Sequence, residues 1–473
     1  MGKTEKLSKG SYLVRNMAFF TVSNFVSKIL VFLLVPFYTG ILSEREYGIA
    51  DVMQASLLLL VPLLSLNAGE AALRYGLENE DRRGSILRSG LARVFYSWVP
   101  VLIGCAAGIL LPLSGELKKC LALFAVLFVC NSVYEFLLLF CQGAEKIKVM
   151  ITGSVSCTIL VIACNLFFLL VLKLGLDGYL FSQMISFFGA SLILFFGGGC
   201  LSFWKEEEDK ELRAEMGRYG KSMLLYSTSS WVNNASDRYY ILLLLGPFQN
   251  GLYGAAYKIP AILMVFQRIF AQSFQMTATK SYKEQDSVRF FSELYQLYQA
   301  VMVAGSSLLI LFLKPVASFM LRKGFYEAWI LVPPLLLSVI FGALNGYLGS
   351  ICLAYKDGKS MGIATGIGAA VNLVLNYVGI LFFGTIGAAF ATMVSYFTMF
   401  AIAFYKTGKH VKLKVPVLKD AGAYLLLLSE TLITMRGTEH AWILNALICL
   451  MLLYLYREVL WKQFKKLKTR FLW

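Results

Sequence analysis

The residues best able to do chemistry in this chain are charged and amide side chains set inside long apolar runs. The densest set is Ser227, Thr228, Ser229, Ser230, Asn233, Asn234, Asp237 and Arg238. On a helix, Asn233 meets Asp237 and Asn234 meets Arg238, each pair four residues apart. Asp237 and Arg238 are adjacent, so they point about 100° apart and look to other helices for partners. The next run returns with Lys258, Arg268, Gln272 and Gln275, the last three on one face. Counted back from a turn at 246–252, Asp237 lies about 14 Å deep and Lys258 about 9 Å, which favours an ion pair between them. Earlier runs hold Asn24 and Lys28 one turn apart, Glu70 and Arg74 four apart, Arg93 near a run's start, where it can snorkel, and Glu135.

A charge at the centre of a bilayer costs at least about 2.5–3.5 kcal/mol on insertion scales, so it faces a cavity or a partner. The embedded cations are Lys28, Arg74, Arg93, Arg238, Lys258 and Arg268; the anions in or at the edges of the first eight runs are Asp51, Glu70, Glu135 and Asp237. An excess of cations suits an anionic cargo, and a diphosphate above all. Asn24, Lys28, Asn234, Arg238, Lys258, Arg268 and Gln272 form the candidate binding set. Glu70, Arg74, Glu135 and Asp237 form the candidate ion-coupling or gating set. Structural pairing within the bundle competes with each of these roles, and interfacial anchoring competes for Glu70 and Arg74.

The elements that position these groups are membrane helices. Of 473 residues, 58% are hydrophobic and 15% charged, a composition that excludes a soluble enzyme with one core. About 20 residues at 1.5 Å each cross the hydrocarbon layer. About fourteen runs meet that length: 13–40, 48–74, 86–112, 117–142, 149–173, 177–203, 218–246, 252–279, 288–313, 327–354, 360–383, 385–405, 418–435 and 440–460. The thirteenth is the weakest, being short and carrying Glu430. Lys3, Lys6, Lys9 and Arg15 precede the first run, which is too long for a signal peptide. The expected fold is an all-α polytopic membrane protein.

The net charge of +16 sits in short connections, which argues against nucleic acid as a partner. Segments 75–88, 204–221 and 406–419 and the stretch after 456 hold 19 of the 44 Lys and Arg, and all segments on that side together hold 30 against 8 on the other. By the positive-inside rule both termini are cytoplasmic. None of the nine Cys is spaced as CxxC, and both His lie in predicted loops, so no metal site is expected. There is no Walker A loop, catalytic triad or zinc motif. The chain is therefore not an enzyme, needs no cofactor and has no ATP site. An H⁺ or Na⁺ gradient, the membrane potential or consumption of cargo must drive transport.

The two halves echo each other. Ser43-Glu44-Arg45-Glu46-Tyr47-Gly48-Ile49 matches Gly246-Pro247-Phe248-Gln249-Asn250-Gly251-Leu252, 203 positions later. Gly175-Leu176-Asp177-Gly178 pairs with Gly384-Thr385-Ile386-Gly387, and Asn165 with Asn376. Similar offsets imply a duplicated six-helix unit with two helices added. An even unit keeps its orientation, so the repeat axis runs along the membrane normal with a cavity between the lobes. The expected organisation is an N-lobe over 1–203, a cytoplasmic linker over 204–217, a C-lobe over 218–405, and a loop, two helices and a basic tail over 406–473.

Three stretches, PFYTGILSEREYGIAD (36–51), DRYYILLLLGPFQNGLYGAAYKIP (237–260) and GTIGAAFATMVSY (384–396), resemble the Wzx-type polysaccharide-precursor flippases of the multidrug/oligosaccharidyl-lipid/polysaccharide exporter superfamily. The likeness covers essentially the whole chain. It implies a V-shaped two-lobed bundle in the bacterial plasma membrane. It also implies alternating access and passage of an undecaprenyl-diphosphate-linked saccharide to the outer leaflet. Partners would be that lipid-linked anionic saccharide, membrane lipids, and a polysaccharide polymerase and glycosyltransferases. The lipid II flippases for peptidoglycan and the cation-coupled multidrug antiporters of the same superfamily are the alternatives.

Overall fold

The computed structural model describes residues 34–203, 209–282, 286–355, 357–438 and 440–471. In chain order the helices are α1 (Val35–Ile41), α2 (Glu44–Leu64), α3 (Ala68–Glu78), α4 (Arg83–Leu110), α5 (Gly115–Gly143), α6 (Ile147–Asn165) and α7 (Gly175–Gly197). They continue as α8 (Lys210–Leu245), α9 (Pro247–Ala256), α10 (Ala261–Ser281), α11 (Ser287–Leu311), α12 (Val332–Ala354), α13 (Gly358–Thr407), α14 (Val417–Arg436) and α15 (Ala441–Phe471). The described residues contain no strand. Nine helices among them are long and apolar enough to cross a membrane. One of these, α13, has 50 residues and is two spans joined at Gly384. Helices α8, α10 and α14 fall outside the nine, and they hold Asp237 and Arg238, Arg268, and Glu430, charged residues expected in spans 7, 8 and 13. Every predicted span from the second to the fourteenth has a helix at its position. Most of the first span lies outside the described residues, with Asn24 and Lys28 in that part.

The chain divides into two compact units, one of residues 1–37 and 50–231, the other of 38–49 and 232–473. In the first unit, predicted span 2 is not one helix. It stops at Leu64, two residues after Pro62, and Leu66 and Asn67 take left-handed φ of 54° and 51°. Asn tolerates that conformation better than other non-glycine residues. The break is held from α8: Asn67 Nδ2 donates to the Gly220 carbonyl at 3.2 Å, and Ser227 Oγ donates to Asn67 Oδ1 at 2.9 Å. Helix α3 restarts at Ala68 and buries Ala68, Ala71 and Ala72 completely in a core shared with Leu137 and Phe140 of α5. Without a hydrophobic drive between helices in lipid, small residues gain dispersion contact by letting backbones close up.

In the second unit the core is an aromatic ladder between α10, α11 and α12. Phe270 stacks on Tyr298 at 3.8 Å and Phe274 on Tyr347 at 4.1 Å. Such pairs stabilise by about 0.5–1.5 kcal/mol beyond their area.

The duplication is visible in this unit. Helix α2 opens with a capping box: Ser43 Oγ accepts from the Glu46 amide at 3.3 Å, and Glu46 Oε2 accepts from the Ser43 amide at 2.9 Å. Helix α9 opens 203 positions later on Gly246, with φ of 89°, and Pro247. The two openings pack reciprocally. A Cβ on Gly48 would lie 1.9 Å from the Pro247 carbonyl oxygen, and one on Gly251 would lie 1.9 Å from the Glu44 carbonyl oxygen. Glu44 corresponds to Pro247 and Gly48 to Gly251, so the contact is self-complementary, as at a two-fold axis. The second echo holds too: Gly175 and Gly384 have φ of 56° and 60°.

One polar link ties α13 to its own end outside the membrane spans. Asp357 caps α13 by accepting from the Ser360 amide at 3.0 Å, and its other oxygen meets His410 Nε2 at 2.8 Å. The His410 bond, and next the Ser360 bonds, hold the Asp357 carboxyl well below the usual carboxylate range. A depressed carboxylate contributes stability above its unfolded value and loses it as pH falls through the folded one. Asp357→Ala is therefore expected to lower the melting temperature at pH 7. The gap to wild type should close as the pH drops below about 4. A gap as wide at pH 2 as at pH 7 would contradict this.

Candidate functional site

Asp237 is the centre of the second unit's polar network, 2% exposed on α8. Tyr253 Oη of α9 donates to its Oδ2 at 2.6 Å, and Tyr257 Oη, one helical turn later, lies 3.5 Å from the same oxygen. The Arg238 amide donates to Oδ1 at 3.0 Å. Arg238 bends back along its own helix: Nη1 donates to the Asn234 carbonyl at 2.8 Å and lies 3.5 Å from Asp237 Oδ1. Its guanidinium also sits over the Tyr257 ring, 5.2 Å from the centroid. Tyr396 Oη of α13 donates to Asn234 Oδ1 at 2.9 Å. Asn234 is itself exposed, and the Arg238 side chain is 15% exposed.

A second layer fixes α8 against α13. Asn233 Nδ2 donates to the Thr365 carbonyl at 3.2 Å, and Ser236 Oγ donates to Asn372 Oδ1 at 3.1 Å. Asn376 Nδ2 donates to that Asn372 oxygen at 2.8 Å. The fully buried Asn376 thus supports the site through its neighbour one turn back. The Asp237 carboxylate takes the Tyr253 hydroxyl, the Arg238 amide and the Arg238 guanidinium as partners. The Arg238 guanidinium puts a planar cation, 15% exposed, on this polar face.

Several sequence expectations are corrected here. Asp237 takes Tyr253, Tyr257 and Arg238 as partners, not Lys258; a flexible guanidinium can curl back where a fixed 100° offset forbids a straight contact. Lys258 lies half-buried in the turn at 257–260 that ends α9. Asn233 bonds to α13 instead of to Asp237. In the first unit Glu70 and Arg74 are both exposed on α3, but Arg74 pairs forward with Glu78 at 3.4 Å and lies over the Tyr219 ring at 4.8 Å. The ring, from α8, draws the guanidinium toward the C-terminal end of α3. The Arg93 guanidinium donates to the Arg213 carbonyl of α8. Glu135 is exposed on α5, and Arg268 and Gln275 are exposed on α10. The Gln272 side chain is outside the described set. Asn234, Asp237 and Arg238 are thus brought together, while Glu70, Arg74 and Glu135 belong to the other unit. Tyr253, Tyr257 and Tyr396 were missed. The i, i+4 tyrosines after Gly246 were a usable signal, because a hydroxyl in a membrane helix needs a partner.

A family model for "Polysaccharide biosynthesis protein" matches residues 13–279, more than half of the chain. The chain belongs to the polysaccharide biosynthesis protein family. No curated protein matches it. Among solved structures it is similar to the lipid II flippase MurJ in an inward closed conformation, with a TM-score of 0.66 and 15% identity, covering 94% of this chain and 99% of that one. It is also similar to an inward-facing multidrug resistance MATE transporter, with a TM-score of 0.66 and 12% identity, covering 84% and 100%. A third is a MOP superfamily transporter from Pyrococcus furiosus whose binding pocket has reverse polarity, with a TM-score of 0.60 and 14% identity, covering 86% and 99%. This member of the polysaccharide biosynthesis family is thus a multi-pass membrane protein with the fold of MOP-superfamily transporters.

Proposed function

We propose that the chain flips an undecaprenyl-diphosphate-linked oligosaccharide from the inner to the outer leaflet, by alternating access, for cell-surface polysaccharide synthesis. The observation that carries this is Arg238, a partly exposed cation on a polar helix face, held by the Asn234 carbonyl and the Tyr257 ring. Arg268, exposed on α10, adds to it. A diphosphate leaving water needs such compensation. The same charges oppose a cationic drug, because like charges repel strongly at low dielectric. In this proposal residues 1–203 and 218–405 act as the two lobes, with both termini, the 204–217 linker and the 406–417 loop in the cytoplasm. Lys28, Asn24, Lys258 and Gln272 complete the binding set. Asp237 and Glu135 serve coupling to H⁺ or Na⁺, and Glu70 and Arg74 serve gating. A polymerase and glycosyltransferases of the bacterial plasma membrane supply and consume the cargo.

The lipid II reading is the second, favoured by the 94% of the chain that the MurJ structure covers against 84% for the MATE structure. Expression in three hosts separates the cargoes: one lacking its saccharide flippase, one lacking its lipid II flippase and one lacking its drug exporter. Rescue of the first alone is expected. Rescue of the second would move the cargo to the peptidoglycan precursor. Drug resistance without rescue would overturn the flippase.

A further inference from the structure

Helices α14 and α15 stand outside the six-helix repeat, and α14 packs against α11, α12 and α15. It buries two carboxylates, Asp420 at 6% exposure and Glu430 at 0%. Their surroundings differ. Asp420 accepts from the Tyr456 hydroxyl at 2.9 Å, and Gln299 Nε2 donates to that hydroxyl at 2.9 Å. The Lys419 ammonium sits over the Tyr456 ring at 4.7 Å. Asp420 therefore has the donors and the nearby cation that an ionised group requires.

Glu430 has neither. Both its oxygens lack a hydrogen-bond partner. From α11 it faces the Ser307 hydroxyl and from α15 the Cys449 thiol, and both residues are buried. Ser307 Oγ is itself without a hydrogen-bond partner. On α15, Asn445 spends its amide on Thr434 Oγ1 at 2.7 Å, and Thr434 in turn bonds the Glu430 main-chain carbonyl. No Lys, Arg or His occurs in α12, in α11 after Arg289, or in α15 before Arg457. The titratable side chains of α12 are Tyr347, bonded to the Phe291 carbonyl, and Cys352, which meets Thr407. On α14 itself the cations are Lys419, engaged with Tyr456, and Arg436, exposed and about 9 Å farther along the axis.

An ionised carboxylate without donor or countercharge costs far more in an apolar interior than a neutral acid. One proton removes that charge and supplies an O–H that the orphaned Ser307 oxygen can accept. We propose that Glu430 is a proton-binding site between α11, α14 and α15, occupied in this arrangement and emptied when α14 moves off α11. Any role of that proton in driving translocation rests on the flippase proposal; the site itself does not.

The test uses the full-length chain in nanodiscs and dicyclohexylcarbodiimide, a lipid-soluble reagent. A protonated carboxyl adds across its C=N bond and gives an acylurea with no leaving group. Peptide mass spectrometry should find Glu430 labelled at pH 6, at least about 10-fold less at pH 10, and unaffected by Na⁺. Asp420 should remain unlabelled at pH 7. Absence of Glu430 labelling at every pH, or protection by Na⁺ at fixed pH, would overturn the proton site. The isostere Glu430→Gln gives a second measurement. A proton held by the folded state and released on unfolding makes stability fall as pH rises. The variant should melt with wild type at low pH and above it at high pH, and parallel curves would count against the proposal. If the variant fails to fold, labelling of the wild type still decides. If neither protein flips lipid-linked saccharide, the flippase proposal fails while the labelling result stands.

Discussion

Arg238→Ala and Arg268→Ala are each expected to reduce translocation of a lipid-linked saccharide at least about 10-fold while the protein stays in the membrane at nearly its normal level. A hydrogen bond to a charged group contributes about 1.5–3 kcal/mol, and each 1.4 kcal/mol is tenfold. Two such contacts to one diphosphate make the loss effectively complete. The fold should survive for a local reason. When Arg238 is truncated, Asp237 keeps the Tyr253 hydroxyl at 2.6 Å and the amide of residue 238 at 3.0 Å. Its charge is therefore not stranded. Arg268 is exposed on α10, so its truncation removes little packing. Arg238→Lys should be intermediate, because an ammonium keeps the charge but loses the fork and the flat face that lies over Tyr257. Lys28→Ala is expected to behave like Arg238→Ala. The assay is flipping in vesicles of a defined undecaprenyl-diphosphate oligosaccharide, with membrane protein quantified in parallel. Retained transport in all three Ala variants would remove the cation assignment. Loss of the proteins from the membrane would make these residues structural.

The helices were legible because hydrophobic run length is dictated by the bilayer, and even the spans weakened by Asp237, Arg268 and Glu430 kept helical positions. The break at Leu66–Asn67 was not legible. Pro62 hinted at it, but the left-handed turn depends on Gly220 and Ser227, about 150 positions away. Side-chain pairing was legible only within one helix turn. Spacing placed Asn234 beside Arg238, and the structure joins them through the Asn234 carbonyl. Spacing gave no way to prefer Tyr253 over Lys258 for Asp237, since both choices lie on the segment that follows the turn. Nor could it choose between Glu70 and Glu78 for Arg74; the decision lies with Tyr219, a residue of another helix.

The internal repeat yields the second large effect. Gly48→Ala and Gly251→Ala are each expected to destabilise the folded protein by about 1–3 kcal/mol or more, the range for forcing extra atoms into a packed site. Each methyl would lie 1.9 Å from a carbonyl oxygen, of Pro247 in one case and Glu44 in the other. Those oxygens belong to helix first turns and cannot rotate away as a side-chain end would. Asn250 Nδ2, bonded to the Gly48 carbonyl at 2.8 Å, tightens the contact further. Because the contact is reciprocal, the two variants should cost similar amounts. Their combination should cost less than the sum, since a backbone pushed apart by the first methyl has already made room for the second. Gly104→Ala and Gly362→Ala are the controls; a Cβ there meets nothing within 4 Å, and alanine favours the helix. Thermal melting of the purified variants reads all five proteins. Additive losses would mean two independent clashes rather than one shared interface between duplicated turns. Wild-type melting of Gly48→Ala would remove the close approach on which the repeat symmetry rests.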